Sequence, residues 1–174
     1  MKNFPLDSAQ PDPVVDILIE SEAWRMLPEA EDIVRRAIAS ATALKVAINH
    51  RQAELAVLLC NDETIAGLNA RWRGQDKPTN VLSFPASRLR SDLPDEKTPL
   101  GDIAIAYETL AREAAEQGKL VSDHLSHLVV HGFLHLLGYD HHRGSEAERM
   151  ERLERDILAR MGIADPYAAG DAHI

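Results

Sequence analysis

Apolar positions along the chain change their spacing often enough to divide it into short elements. Residues 1–12 show no period, with Pro5 and Pro11 set among Asp7 and Asp12, and read as a loose leader. Val15, Ile17 and Ile19 then alternate with Asp16, Leu18 and Glu20, which predicts a strand with one mostly buried face. Pro28 suits a helix start, and Ile33, Val34, Ile38 and Ala41 keep helical spacing to about Thr42. The stretch 43–48 fits either a strand or a helix end, whereas 54–60 is a better strand, closed by Asn61 and Asp62. Asp62 is a suitable cap for a helix in which Ile65, Leu68 and Trp72 share a face, ending at Gly74.

The character then shifts. Residues 73–85, RGQDKPTNVLSFP, form a polar loop punctuated by Gly and Pro that runs into a short strand at 81–84. An exposed loop is expected over 86–99, a strand over 102–106 and a helix over 107–117 closed by Gly118. Ser122 is read as the cap of a long apolar helix that stops at Gly138. Ser145 and Glu148 make a capping box for a last helix, 146–161, closed by Gly162. The tail is expected to fray after Asp165 and Pro166. The sum is an α+β single domain over 13–167, with a central sheet of about four strands packed by about five helices and a tail at 168–174.

Composition narrows the function classes. The longest unbroken apolar run, 55–60, is far short of the roughly 18–20 residues that span a bilayer, so no membrane partner is expected. The start carries Lys2 but no apolar segment like that of a secretory signal, and Cys60 is the lone cysteine, which excludes a disulfide framework or multi-cysteine zinc site. A cytoplasmic protein is the simplest expectation. A formal charge of −9 speaks against nucleic acid at first sight. The charge is segregated, however. The first 34 residues hold two cations against eight acids, while 71–90 hold Arg71, Arg73, Lys77, Arg88 and Arg90 against Asp76 alone.

Six of the eight histidines fall within 124–142. His131 and His135, four apart on the long helix, project from one face and can reach a single ion. Gly138 permits a left-handed exit, after which His141 returns as a third ligand, with His142 a competing choice. Three neutral imidazoles leave one tetrahedral position open, the arrangement of catalytic rather than structural zinc. Asp140 is a plausible carboxylate for orienting a ligand ring. His124 and His127 share the face of His131 and are candidates to line its approach, or are simply polar groups of a cleft wall; His50 and His173 read as surface residues.

The spacing matches the metzincin pattern H-E-x-x-H-x-x-G-x-x-H, but Gly132 stands where that chemistry needs its Glu base, which disfavours a protease. Arg73, just before Gly74, is placed to fork onto phosphate oxygens. Ser83 lacks the flanks of a nucleophile elbow, and Trp72 is as well suited to core packing as to stacking on a base. A metal-activated water beside a phosphate-gripping arginine describes a phosphodiester hydrolase.

Three blocks, RGQDKPTNVLSFP (73–85), LGDIAIAYET (100–109) and HLVVHGFLHLLGYDH (127–141), closely resemble the signature blocks of the bacterial YbeY-type endoribonucleases, over roughly residues 54–167. The resemblance implies an α+β fold and a single-strand-specific, zinc-dependent endoribonuclease of 16S rRNA 3′-end maturation and ribosome quality control. It places the family's zinc ligands on His131, His135 and His141, one Zn2+ per chain, and its functional arginine on Arg73. Lys77 and His127 are the candidates for the substrate cleft. Implied partners are rRNA, the small ribosomal subunit, a small-subunit ribosomal protein and an assembly GTPase. A non-catalytic assembly factor stabilised by its metal is the rival reading.

Overall fold

The computed structural model describes residues 12–44, 53–87, 98–141 and 144–168. Four strands form one sheet in the order β1-β2-β4-β3, with β1 (Val14–Ile19), β2 (Ala53–Cys60) and β4 (Thr98–Ala106) parallel and β3 (Val81–Pro85) antiparallel at the edge. Among the described residues five α-helices pack with the sheet: α1 (Ala30–Ala43), α2 (Asp62–Arg73), α3 (Tyr107–Glu116), α4 (Val121–Leu136) and α5 (Gly144–Arg160). The expected α+β architecture is therefore present. A short 3-10 helix at Glu22–Met26, absent from the sequence reading, buries Trp24, whose indole donates to the Cys60 carbonyl at 2.9 Å. The expectations for 1–11, 45–52, 88–97 and 169–174, with those for His50, Arg88, Arg90, His142 and His173, lie outside the described residues.

Alternation along β2 divides the core. Leu55, Val57 and Leu59 face α1 and α4, joined by Ile103 and Ile105 of β4, while Cys60, Leu82, Ala104 and Ala106 face Ile65 of α2. The first strand is less buried than its pattern suggests, because β1 is an edge and Ile19 stands 44% exposed. Helix α4 is the centre of the fold, buried on every side between α1, α3, α5 and the sheet. Gly132 brings it close: a Cβ there would lie 3.1 Å from Ser83 Oγ and 3.2 Å from Ile103 Cγ2. Ser83 donates its hydroxyl to the Gly132 carbonyl at 3.2 Å, so β3 is pinned to the helix beside His131.

Helix ends depart from the sequence reading in four places. Asn61, not Asp62, caps α2, its Oδ1 accepting from Thr64 N at 2.8 Å, since the cap must precede the first helical residue. Asp62 is free to cap the neighbouring helix instead, accepting from the Thr109 amide and hydroxyl of α3 at 3.1 and 2.7 Å. Pro28 lies in the turn before α1 rather than in its first turn, and α4 starts at Val121 with Leu120 at the cap, which leaves Ser122 inside. Helix α5 starts at Gly144, so Ser145 is likewise in the first turn and not ahead of it.

Candidate metal centre and active site

Four histidines, at 124, 127, 131 and 135, form one stripe along α4, met by Glu113 of α3, by Glu154 of α5, which serves both His127 and His131, and by the Tyr139 carbonyl. His124 donates Nε2 to Glu113 of α3 at 2.8 Å. His131 donates Nδ1 to Glu154 Oε1 of α5 at 2.6 Å, and His127 Nε2 lies 3.3 Å from Glu154 Oε2. His135 donates Nδ1 to the Tyr139 carbonyl at 3.0 Å, a contact created where the chain turns back through Gly138 at φ +92°. That same turn carries His141 to the site.

The remaining ring nitrogens converge. His131 Nε2 and His135 Nε2 are 3.1 Å apart, and His135 Nε2 is 3.1 Å from His141 Nδ1. The proton positions follow from chemistry. Burial alone would push the Glu154 carboxyl up, but the hydrogen bonds and charges of His127 and His131 outweigh it and hold it down at about 2. Glu154 and the Tyr139 carbonyl are thus acceptors only, so each facing Nδ1 carries the proton and Nε2 is the nitrogen left to offer a lone pair. Two bare nitrogens at 3.1 Å repel one another unless a cation lies between them. Tetrahedral coordination at about 2.0–2.1 Å places ligand nitrogens about 3.3 Å apart, close to these spacings. Burial, followed by the neighbouring charges of His131 and His141, lowers His135 to about 4, so its imidazole is neutral and ready to ligate at pH 7. Residues His131, His135 and His141 are thereby suited to a divalent ion, with the exposed His141 on the open side.

Glu154 is the residue sequence reasoning missed. It is 0% exposed, and besides the two imidazoles it accepts the hydroxyl of Tyr167. A signal was available: Met150, Glu154, Ile157 and Leu158 make the buried stripe of α5, and a glutamate within an apolar stripe needs a partner. Tyr167 corrects a second expectation, since the chain beyond Pro166 turns back onto Glu154 where fraying was expected, with Arg155 5.0 Å above the phenol ring. Asp140, half-buried, acts on His135 through its negative charge.

The other candidates are placed differently. His127 is 2% exposed, behind His131 and under Tyr167, and not on an open wall of the metal centre. Arg73 ends α2, held by Gly74 at φ +69°, and donates Nη2 to the Ser83 carbonyl at 2.9 Å. The ladder places that carbonyl on the free edge of β3, because the even-numbered residues 80 and 86 are the ones bonded to β4. Arg73 and Gly132, the chain neighbour of His131, thus meet one strand residue, Ser83, through its carbonyl and its hydroxyl respectively. Lys77 is exposed on a loop anchored by buried Asn69, whose Nδ2 donates to the Lys77 carbonyl at 2.9 Å.

The family profile described as "Endoribonuclease YbeY" matches residues 18–162. A protein of Rhodopseudomonas palustris (strain BisB18) named "Endoribonuclease YbeY" is 56% identical over 160 residues, covering 91% of this chain and 95% of that protein. Another of the same name from Bradyrhizobium sp. (strain BTAi1) is 53% identical over 160 residues, covering 91% and 94%. A solution structure of a Thermotoga maritima protein aligns over 88% of this chain and 98% of that one, at 26% identity and a TM-score of 0.46.

Proposed function

The chain belongs to the YbeY endoribonuclease family, and on that footing we propose that it is a zinc-dependent endoribonuclease that cleaves single-stranded RNA in the 3′-end maturation of 16S rRNA and in ribosome quality control. The observation that carries the reading is the convergence of the three ring nitrogens of His131, His135 and His141, two of them bared by fixed acceptors. When bound there, a divalent ion supplies a Lewis acid for a phosphodiester oxygen and a water acidic enough to act as nucleophile near neutral pH.

The protein's own residues do the rest. Glu154 and the Tyr139 carbonyl hold the protons of the ligand rings on Nδ1, so the lone pairs stay aimed inward. Arg73 binds the phosphate and opposes the charge that develops on it, exchanging its bond to Ser83 for the phosphate oxygens. Asp140 tunes the ring of His135 and orients His141, and Lys77 meets the RNA backbone beyond the cleavage point. The position of a metzincin base is filled by Gly132, packed against Ser83 and Ile103, so no carboxylate acts there. The site of action is the cytoplasm. Its partners are the small ribosomal subunit with its rRNA, one of that subunit's proteins and an assembly GTPase.

The test is metal content and cleavage of single- and double-stranded rRNA fragments by wild type, Arg73→Ala and His135→Ala. Arg73→Ala is expected to keep the metal and lose turnover, whereas His135→Ala loses both. Wild type that holds full metal yet cleaves RNA no faster than either variant refutes the nuclease reading.

A further inference from the structure

The face of the sheet opposite the metal centre is only partly covered by α2, and beside it runs an open groove of about 910 Å3. At one end lie Leu68, Trp72 and Phe84, and acids Asp16, Glu54 and Asp102 stand along the strands. Trp72 is 60% exposed, an unusual position for the largest apolar side chain. Its ring meets Phe84 edge-on at 6.3 Å, and cations sit over both rings, Arg71 5.1 Å from Trp72 and Arg73 6.0 Å from Phe84. The volume lies within the range of small-ligand sites, about 300–1,000 Å3.

We propose that this groove binds unstacked nucleobases of the single-stranded RNA substrate, with Trp72 as the stacking platform. The inference rests on the ribonuclease reading and extends it to a second subsite. Three features point to a base rather than to a peptide or lipid. Aromatic rings interleaved with guanidinium groups are the surface on which bases stack, and the same cations meet the phosphates between them. The acids would repel a backbone laid along the groove but accept hydrogen bonds from the exocyclic amino groups of cytosine or adenine. Finally, β3 is the edge of the sheet, so a strand bound at the metal passes around it, over Arg73, onto the opposite face. Asp102, paired with Phe84 across the ladder, is placed to read the base that Trp72 stacks.

The protein has two tryptophans, and Trp24 is 2% exposed, so quenchable emission comes from Trp72. A short oligoribonucleotide, 2′-O-methylated to resist cleavage, is titrated against the metal-loaded protein with anisotropy and tryptophan emission read together. A matched abasic strand and a duplex serve as comparisons. The single strand is expected to quench Trp72 in step with binding, and the abasic strand and duplex are not. Trp72→Ala should weaken binding at least about fivefold, with Trp72→Phe recovering most of the loss. Asp102→Asn should reduce the preference for cytosine- or adenine-containing strands over uracil. If the strand binds but leaves Trp72 emission unchanged and Trp72→Ala binds equally well, the groove proposal is overturned while the nuclease reading stands. If wild type neither binds the strand nor cleaves its unmodified form, both fail.

Discussion

Replacing Glu154 with glutamine changes one buried atom and reaches the candidate metal site through His131. The carboxylate accepts from His131 Nδ1 at 2.6 Å, from His127 and from Tyr167, all donors. Glutamine keeps the length but turns one oxygen into an NH2 group, which must then face a donor. If the amide nitrogen faces His131, the ring escapes by moving its proton to Nε2, the atom that should bind the ion. If it faces Tyr167 and His127, the charge-assisted bond to His131 becomes a neutral one of roughly half the strength. Either route weakens the ligand. Loss of a group that orients a metal ligand lowers affinity by about 10–100-fold, or about 1.4–2.7 kcal/mol. The assay is competition for Zn2+ against a chromophoric chelator, with thermal unfolding of the metal-free protein in parallel. A Glu154→Gln protein that binds zinc within twofold of wild type would show that the contact is packing alone.

Three further outcomes follow from other parts of the fold. Gly101 sits at φ +129°, where a Cβ would lie 2.2 Å from the Phe84 carbonyl oxygen and 2.8 Å from Ala86 N; Gly101→Ala should therefore destabilise by about 2 kcal/mol or more in urea, and an unchanged midpoint would contradict the packing. Burial pushes the Cys60 thiol up to about 12 and its side chain is fully enclosed, so in native protein near pH 8 it should resist a thiol reagent that labels it quickly in denaturant. Burial tends to raise the Glu113 carboxyl, but hydrogen bonds from His124 and Asn80 lower it overall from 4.5; its stabilisation is thus full above that pH and lost as pH falls through the lower folded value. Glu113→Ala should cost about 1.5–3 kcal/mol at pH 7, with the gap to wild type narrowing in acid, and a gap independent of pH would rule out a contribution from the ionised carboxylate.

Elements of the fold that rest on one periodic signal were legible in the sequence. The strands at 54–60 and 81–84, the helices after Asn61 and before Gly138, and the H-x3-H-x5-H spacing all declare themselves through neighbours along the chain. The misread features depend on partners distant in sequence. Asp62 looks like a cap for its own helix, and only the packing of α2 beside α3 shows it bonded to Thr109. Glu154 and Tyr167 lie 23 and 36 residues beyond His131, and no local pattern links them. His127 has the spacing of a cleft residue, but α5 and the C-terminal turn close over it. Arg73 is a candidate by its place before Gly74; its bond to the outward carbonyl of an edge strand needed the sheet order.

The three candidate ligands His131, His135 and His141 occupy an eleven-residue span, short enough for an isolated peptide to carry them all. What aims His131 is nevertheless borrowed from α5 and the segment beyond it, elements made last as the chain is synthesised from its N-terminus. A nascent or truncated chain that ends before Glu154 therefore owns all three histidines and still lacks the proton acceptor that fixes the ring of His131. The geometry suited to an ion is therefore a property of the finished molecule, completed only when α5 and the turn at Tyr167 have docked on α4.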